Sequence, residues 1–96
     1  MKKSFWVYIL ASKKNGTLYI GCTGHIERRI YEHKNKLTPG FTSRYNVTRF
    51  VYAEEYYTAY EAIRREKQMK KWKREWKLRL INEANPEWHD LYDYIL

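Results

Sequence analysis

The chain has one cysteine, no long apolar run and few acidic side chains. Cys22 alone cannot form an internal disulfide. No stretch approaches the roughly 18 apolar residues that a membrane-spanning helix needs. Residues 1–10 do not combine a cationic start with a long apolar run, as a secretion signal does. We therefore expect a soluble protein of the reducing cytoplasm, without a membrane partner.

The length of 96 residues allows one hydrophobic core and is too short for two. Apolar residues make up 44% of the sequence, a fraction too high for a disordered chain. No repeat, linker or low-complexity tract interrupts it. We expect a single domain over residues 1–96, with its core at about residues 5–77 and an apolar C-terminal tail that packs back on this core.

Acidic side chains are outnumbered by basic ones, 11 to 19, which leaves a formal charge of +8 and favours a polyanionic partner, above all nucleic acid. Residues 64–79 alone carry nine basic and two acidic side chains, whereas residues 80–96 carry only acidic charges. The candidate nucleic-acid contacts in the basic segment are Arg64, Lys70, Lys73 and Trp72. A basic helical segment is also typical of a solvated surface, so charge suggests a partner without proving one.

The first part of the chain predicts a β-hairpin. Residues 4–11 are rich in aromatic and β-branched side chains, and Asn15-Gly16 is a strong signal for a tight turn. Residues 17–20 supply the returning strand, which we expect to end at Gly21. A third short strand is predicted at about residues 49–55.

Two helices alternate with these strands. Thr23 is the predicted cap of the first helix, whose apolar spacing continues to Leu37. Residues 38–46 have the composition of a polar loop that begins with a proline-glycine break. A capping box then predicts one long helix over residues 58–83. This order of elements predicts an α+β fold, in which a small three-stranded antiparallel sheet is flanked by helices.

Two polar residues of the first helix lie beside its apolar face. At about 100° per residue, Ile26, Ile30 and Leu37 fall on one side of the helix. Arg29 and His33, one turn apart, flank that side. Burial of such groups costs free energy that a role must offset. A histidine among isoleucines is also typical of a hydrogen-bonded structural residue, so both roles stay open for His33.

The second helix carries a carboxylate on its inner face. Its apolar stripe consists of Ala62, Met69, Trp76 and Leu80. Glu66 lies about 40° from Ala62 within this stripe, a position typical of a site for a metal, another cation or an arginine. Glu66 therefore either binds a ligand or forms a buried ion pair with Arg29. Lys73 also falls inward, which predicts that the helix kinks or leaves the core after about Met69.

Two tyrosines of the hairpin share one face of the sheet if the hairpin loop has an even number of residues. In that register the numbers of facing residues sum to an odd value, which places Tyr8 and Tyr19 on the same side. Together with Arg29, His33 and Glu66 they form a candidate polar site. The chain has ten tyrosines, so a core position is the other interpretation for either phenol.

These residues resemble the active site of the GIY-YIG nuclease superfamily, and the chain is similar to its small single-domain bacterial members, the UPF0213-like group. Val7-Tyr8-Ile9 matches the first motif of the superfamily, and Tyr19-Ile20-Gly21 matches the second. Arg29 follows Tyr19 by ten residues, as the family arginine does. His33 occupies a position that is histidine in some members, and Glu66 matches the metal-binding glutamate.

The resemblance implies a metal-dependent endonuclease that hydrolyses phosphodiester bonds of DNA, or of RNA. Glu66 would hold one Mg²⁺, or Mn²⁺, together with water molecules. Tyr8 would be the general base for the attacking water, and Tyr19 would position water or phosphate. Arg29 would stabilise charge on the scissile phosphate. His33 would relay a proton or donate a hydrogen bond to phosphate.

Three positions depart from the family pattern. Trp6 replaces the glycine of the first motif, Cys22 stands where some members have a lysine, and Leu78 stands where several have an asparagine. A nucleic-acid-binding module of the same fold without turnover is therefore an alternative, and a protein-interaction domain is a third. No helix-turn-helix or zinc ligand set is evident in the sequence. The choice of cleavage site would then depend on nucleic-acid structure or on a partner protein.

Overall fold

The structure, a computed structural model, describes residues 4–96, so the first three residues of the predicted domain lie outside the described residues. Its elements in chain order are β1 (Phe5–Ala11), β2 (Leu18–Thr23), α1 (Ile26–Lys34), α2 (Phe41–Arg44), β3 (Arg49–Tyr56), α3 (Ala59–Lys70), α4 (Arg74–Ala84) and a 3₁₀ turn (Tyr92–Tyr94). The strands form an antiparallel sheet in the order β2-β1-β3. The predicted α+β class, a three-stranded antiparallel sheet flanked by helices, is confirmed.

Alternate residues of β1 point to opposite sides of the sheet. Both faces carry apolar side chains, and helices pack against each of them. One face packs against α3 and α4, with a larger core of Val7, Ile9, Ala11, Ile20, Val51, Ala62, Met69, Ile81 and Trp88. The other face packs against α1, with a smaller core of Tyr8, Leu10, Ile30, Val47 and Phe50. Tyr8, a predicted site residue, is thus also part of the smaller core.

The hairpin has the register that places its two tyrosines on the same face. Tyr8 pairs with Gly21 and Leu10 pairs with Tyr19, so both pairs of residue numbers sum to the same odd value. The loop consists of residues 13–16, an even number, and it is closed by a backbone hydrogen bond between its flanking residues at 3.0 Å. The prediction that Tyr8 and Tyr19 share a face is confirmed.

The end of β2 and the start of α1 differ from the prediction. β2 continues through Gly21 to Thr23, so the predicted end of the strand at Gly21 is wrong. Thr23 does not cap α1, because the helix begins at Ile26. The Thr23 hydroxyl instead accepts a hydrogen bond from the His25 amide at 3.0 Å. This bond stabilises the turn between the two elements rather than the helix itself.

α1 ends earlier than its apolar spacing predicted. The last helical residue is Lys34, and Lys36 has a positive φ of 54°, which turns the chain away from the helix. The Leu37 amide donates to Glu32 O at 2.9 Å, which satisfies a carbonyl of the last turn. Leu37 is 61% exposed, so its predicted place on the inner face is wrong. Lysine, unlike glycine, is not a sequence signal for a positive φ.

The predicted polar loop of residues 38–46 contains α2. Gly40 precedes this helix with a φ of 125°, a conformation that favours glycine. Thr42 is buried beneath the single turn, whereas the side chains of Phe41 and Tyr45 are about half exposed. A helix of one turn has no apolar period, so the pattern of the sequence could not reveal it.

Two helices replace the predicted long helix over residues 58–83. The predicted cap of this helix is confirmed, because the Thr58 hydroxyl accepts a hydrogen bond from the Glu61 amide at 3.2 Å. The same hydroxyl donates to the Glu61 carboxylate at 2.8 Å. The chain leaves the helix at residues 71–73 and forms α4 from Arg74. The Arg74 guanidinium donates to two backbone oxygens of the hairpin loop, both at 2.7 Å. The predicted kink is confirmed, although neither proline nor glycine marks it.

The break changes which side chains of this segment face the core. Ala62 and Met69 precede it and are buried as predicted. Trp76 follows it and is 46% exposed, so its predicted inward position is wrong. The non-helical residues shift the helical phase, and Trp72 packs against the larger core instead. The Arg65 guanidinium lies 4.9 Å from the centroid of the Trp72 ring.

The C-terminal segment contributes to both cores. Trp88 is fully buried in the larger core, where its indole N–H donates to Asn82 Oδ1 at 2.6 Å. The side chains that pack against the smaller core are Leu91, Tyr92 and Ile95. The Leu91 amide donates to Phe50 O at 2.7 Å, so the tail is joined to β3, one of the two edge strands. β2 is the other edge strand.

Candidate active site

The absence of a side chain at Gly21 allows Tyr8 to lie over the edge strand. β2 is at the edge of the sheet, and Gly21 lies opposite Tyr8 in the ladder. A methyl group at Gly21 would overlap both Cζ and the hydroxyl oxygen of Tyr8. The phenol ring therefore crosses β2 at this point, and its hydroxyl lies above the edge strand.

His33 connects Tyr8 to α2. Its Nε2 lies 2.9 Å from the Tyr8 hydroxyl, and its Nδ1 lies 3.0 Å from Thr42 Oγ1. Burial, followed by the charge of Arg29, lowers the pKa of His33 to about 4, although Glu32 opposes this shift. His33 is therefore neutral at pH 7, and one of its ring nitrogens can accept a proton.

Three rings from three elements meet at this point. The ring centroids of Tyr8 and Tyr19 are 6.3 Å apart. The His33 centroid lies 5.7 Å from the first and 5.6 Å from the second. Tyr8 comes from β1, Tyr19 from β2 and His33 from α1. Tyr19 is only partly buried, so a ligand can reach this ring cluster from the side of the edge strand.

Arg29 stands beside the ring cluster. Its Nη1 donates to Glu32 Oε1 at 3.3 Å and to Thr38 Oγ1 at 3.2 Å, and its side chain is 32% exposed. The ion pair of Arg29 is with Glu32, so the predicted alternative of a buried ion pair between Arg29 and Glu66 is wrong. A partly exposed guanidinium keeps donors available for a phosphate.

The phenol of Tyr8 is a weak acid in this environment. Burial raises its pKa to about 12, and Tyr19 and Glu66 add to this rise, while Arg29 opposes it. The side chain is therefore protonated at pH 7 when no further cation is near. Tyr8 needs a proton acceptor such as His33, or an additional positive charge, before it can act as a base.

Glu66 completes the group from α3, on the other side of the sheet. Its side chain is 17% exposed, and its ion-pair partner among the described residues is Lys70, whose Nζ lies 3.6 Å from Oε2. The Glu66 carboxylate raises the pKa of Tyr8. It also raises the pKa of Cys22, after the larger effect of burial. Glu66 is thus close enough to interact electrostatically with residues of β1 and β2.

The chemistry of Glu66 fits a ligand of Mg²⁺ or Mn²⁺. Mg²⁺ in proteins usually keeps several waters and takes one or two carboxylates together with phosphate oxygens. Within residues 4–96 no group of three His, Cys, Asp or Glu side chains is arranged to hold an ion. If an ion binds here, Glu66 would provide one protein ligand, and water and a substrate phosphate would provide the others.

The four candidate nucleic-acid contacts do not lie together. Lys70 reaches the site through its ion pair with Glu66. Arg64 is exposed on α3, and Lys73 immediately precedes α4 beside an exposed tryptophan. Trp72 is partly buried against the larger core. Of these four residues, the structure brings Lys70 into contact with the site.

Two threonines of the site were absent from the sequence analysis. Thr38 accepts a hydrogen bond from Arg29, and Thr42 lies at hydrogen-bond distance from His33. Each threonine follows its partner by nine residues. The matching spacing of the two pairs is a signal that a search of the segment after α1 could have found.

Known proteins are similar to this chain in sequence and in fold. The family model of the GIY-YIG catalytic domain matches residues 4–79. The chain belongs to the GIY-YIG family. It is 37% identical over 79 residues to UPF0213 protein SSP2268 of Staphylococcus saprophyticus, and the aligned region covers 82% of this chain and 95% of that relative. It is 35% identical over 84 residues to UPF0213 protein SERP0126 of Staphylococcus epidermidis, and the aligned region covers 88% of this chain and 100% of that relative.

A solved UPF0213 protein has a similar fold. The solution NMR structure of UPF0213 protein BH0048 from Bacillus halodurans has a TM-score of 0.57 and 27% sequence identity, and the match covers 91% of this chain and 92% of that chain. The predicted resemblance to small single-domain bacterial GIY-YIG proteins is confirmed. The GIY-YIG domain indicates a nuclease superfamily and implies a nucleic-acid substrate.

In the described part of the chain, every helix is too short or too polar to cross a membrane.

Proposed function

We propose that this GIY-YIG protein is a metal-dependent endonuclease that hydrolyses phosphodiester bonds of DNA. One observation carries the proposal: Tyr8 is hydrogen-bonded to His33 and interacts electrostatically with Arg29 and Glu66. A phenol, an imidazole, a guanidinium and a carboxylate available for a metal are together suited to phosphodiester hydrolysis. RNA is a second substrate that the same chemistry can serve.

Glu66 would hold Mg²⁺ or Mn²⁺ at this site. When bound, the ion supplies positive charge that lowers the pKa of a coordinated water and neutralises phosphate charge. The protein presents the carboxylate at a largely buried position, with Lys70 as its ion-pair partner at 3.6 Å. Lys70, which lies beside Glu66, would contact a phosphate of the substrate.

Tyr8 would act as the general base for the attacking water. The Tyr8 hydroxyl lies 2.9 Å from His33 Nε2, and Thr42 Oγ1 lies 3.0 Å from Nδ1. In the tautomer that this role requires, the hydroxyl would donate to Nε2 and the Nδ1–H would donate to Thr42. As the water oxygen bonds to phosphorus, a water proton moves to the Tyr8 oxygen and the original Tyr8 proton moves to His33. The bond to the leaving oxygen breaks, and that oxygen takes a proton from solvent. His33 then releases its proton to solvent, because burial disfavours the imidazolium.

Arg29 and Tyr19 would bind the substrate at the reacting phosphate. The Arg29 side chain is partly exposed and can contact two phosphate oxygens, which stabilises the charge that develops as water attacks. Tyr19 would position water or phosphate from the side of the edge strand. The more distant contacts to nucleic acid would come from Arg64, Lys70, Lys73 and Trp72. A partner protein would help to choose the cleavage site, and a reducing cytoplasm would suit the free Cys22.

A nucleic-acid-binding module without turnover is the second candidate. Two features favour it: burial raises the pKa of Tyr8 to about 12, and Cys22 stands where some relatives carry a lysine that would favour the phenolate. Such a protein binds nucleic acid with a steep salt dependence, since binding releases counterions from the phosphates. It does not cleave its ligand in the presence of a metal.

A cleavage assay tests the proposal. Labelled DNA and RNA, each as single strand, duplex and flap, are incubated with the purified protein in Mg²⁺, Mn²⁺ or EDTA. We expect cleavage of at least one form with a metal and none in EDTA. Glu66→Gln should abolish this cleavage, whereas Glu75→Gln, a change at an exposed position of α4, should not. If the wild type binds nucleic acid but cleaves none of these forms with either metal, the second candidate replaces the nuclease.

A further inference from the structure

A shallow cleft lies next to the proposed catalytic group, at the edge of β2. Its volume is about 290 Å³, close to the lower end of the ~300–1,000 Å³ that is usual for ligand sites. The lining side chains come from β2, α2, α3 and α4 and are Leu18, Tyr19, Ile20, Phe41, Lys70 and Lys77. Tyr19 belongs to both the cleft and the ring cluster. A ligand can therefore extend from the reacting position into the cleft.

Phe41 gives the cleft an exposed aromatic surface. Its side chain is 47% exposed, and its ring centroid lies 5.0 Å from that of Tyr45, which is 55% exposed. The neighbouring Thr42 is buried beneath α2, at hydrogen-bond distance from His33, so the same short helix holds Phe41 on the outside. An exposed aromatic ring beside a nucleic-acid site is suited to stacking on a base.

Lysines give the cleft a positive charge. Lys70 and Lys77 both line it, and none of the lining residues is acidic. The ammonium group of Lys77 donates weakly to a backbone oxygen at 3.5 Å, and within residues 4–96 it has no carboxylate partner. Arg44 adds a further positive charge at α2, with its guanidinium 5.9 Å from the Tyr45 ring. These cations fit the phosphates of a nucleic-acid strand.

We propose that this cleft binds an unpaired nucleotide next to the scissile phosphate, with its base on Phe41 and its phosphate at Lys70 and Lys77. In a duplex each base is stacked between its neighbours and turned inward, so its face cannot reach Phe41. The cleft therefore selects a single strand, or the unpaired arm of a junction, over a continuous duplex. The position of the scissile phosphate rests on the proposed nuclease function, whereas binding in the cleft does not.

Binding is measured in EDTA, by fluorescence anisotropy of a short labelled DNA strand and of the matching duplex at equal salt. We expect the full-length protein to bind the single strand more tightly. Phe41→Ala should weaken single-strand binding by about tenfold and leave duplex binding unchanged. Tyr60→Ala is the matched control, because Tyr60 is 72% exposed on α3 and lies outside the cleft. Phe41→Trp should retain the preference for the single strand.

The lysine contacts are tested in the same assay. Lys77→Ala should weaken binding and reduce the salt dependence of single-strand affinity by roughly 0.7 in the log–log slope, as expected when one phosphate contact is lost. Lys67→Ala, at an exposed position of α3 outside the cleft, is expected to change both quantities less. Circular dichroism of each variant checks that the fold is retained.

Two results would overturn the cleft as a binding site: equal affinity of the wild type for single strand and duplex, or single-strand binding that Phe41→Ala leaves unchanged in a folded protein. Cleavage in Mg²⁺ is followed in parallel. Single-strand binding that depends on Phe41, without any cleavage, supports the cleft and contradicts the nuclease. Cleavage and binding that do not depend on Phe41 support the nuclease and contradict the cleft.

Discussion

Glu54 and Glu66 are two carboxylates with nearly equal exposure and opposite surroundings. Their side chains are 15% and 17% exposed, respectively. Glu54 accepts hydrogen bonds from Tyr52 at 2.6 Å, from Tyr56 at 2.8 Å and from two nitrogens of Arg65 at 2.9 and 3.1 Å. Glu66 forms an ion pair with Lys70 at 3.6 Å. The exposed fraction of the side chain therefore does not distinguish the roles of these two carboxylates.

The two carboxylates differ in the number of hydrogen bonds that each accepts from the protein. Burial by itself would raise the pKa of Glu54, but the hydrogen bonds from Arg65, Tyr52 and Tyr56 outweigh it and lower the pKa. These bonds join β3 to α3 and leave little capacity for a ligand. Glu66 follows Arg65 directly in α3, yet its oxygens are available to a cation from outside. We infer that Glu54 serves the fold and Glu66 the proposed reaction.

The largest expected effect separates the two residues by activity. Glu66→Gln should lower the rate of DNA cleavage by at least about 1,000-fold, because several kcal/mol of transition-state stabilisation depend on the metal. Glu54→Gln makes the same chemical change at the same exposure, and it should leave the rate within about threefold where the variant is folded. Equal losses of rate in the two variants would contradict the assignment of Glu66, and not Glu54, to the reaction.

A second variant tests the path of Tyr8 over the edge strand. Gly21→Ala should lower the cleavage rate by about 100-fold, because the added methyl group displaces the phenol from His33 and misplaces the base. Gly24→Ala is the control, since the nearest atom to a Cβ there would be in the Phe5 ring at 3.3 Å, compared with 2.4 Å to Tyr8 at Gly21. If a folded Gly21→Ala protein cleaves DNA at the wild-type rate, the reaction does not require the Tyr8 hydroxyl to lie beside His33.

The stability of the two carboxylate variants should differ in the opposite sense. Glu54→Gln should reduce the free energy of unfolding by about 2 kcal/mol in urea titrations, since Arg65 loses its charged partner. Glu66→Gln should change it by less than about 0.5 kcal/mol. Similar unfolding midpoints for both variants would contradict the structural role of Glu54.

The same residue predicts a pH dependence of stability. The pKa of Glu54 is lowered from its ordinary value of 4.5 in the folded state. Its stabilising contribution is therefore present above pH 4.5 and is lost as the pH falls through the lower, folded-state pKa. Unfolding measured between pH 6 and pH 3 should show this loss in the wild type, and Glu54→Gln should show a smaller one.

The smallest expected effect concerns the hydrogen bond between Thr42 and His33. Thr42→Val should reduce the cleavage rate by about tenfold, because His33 loses the group that orients its ring and selects its protonated nitrogen. Thr42→Ser keeps the hydroxyl and should retain most of the rate. Nitrogen NMR shifts of the His33 ring report the tautomer independently of activity. An unchanged tautomer in Thr42→Val would contradict the role of the hydroxyl.

The parts of the site that could be predicted from sequence depend on short, regular periods. Tyr8 and Tyr19 share a face because strand side chains alternate and the loop between the strands has an even length. Ala62 and Met69 are buried as their spacing predicts, because α3 is continuous over that interval. His33 was predicted beside the apolar face of α1, and it is 2% exposed.

The parts that could not be predicted depend on breaks and on contacts across loops. Lys36 ends the turn after α1 with a positive φ, although lysine carries no preference for it. Residues 71–73 interrupt the helix without proline or glycine, so the helical phase that placed Trp76 inside no longer applied. Thr42 reaches His33 from a one-turn helix, which is too short for any period to reveal.

Residues 71–73 have a consequence for how the protein can change. Glu66 and Lys70 belong to α3, whereas Lys77 belongs to α4, and the two helices have separate rotational settings about their axes. An extra residue in this non-helical connection would shift the start of α4, and Lys77 with it, relative to the cleft, while Glu66 would keep its place in α3. Under the proposed cleft, the length of this connection would set how firmly a strand is held, without altering the groups that would cut it.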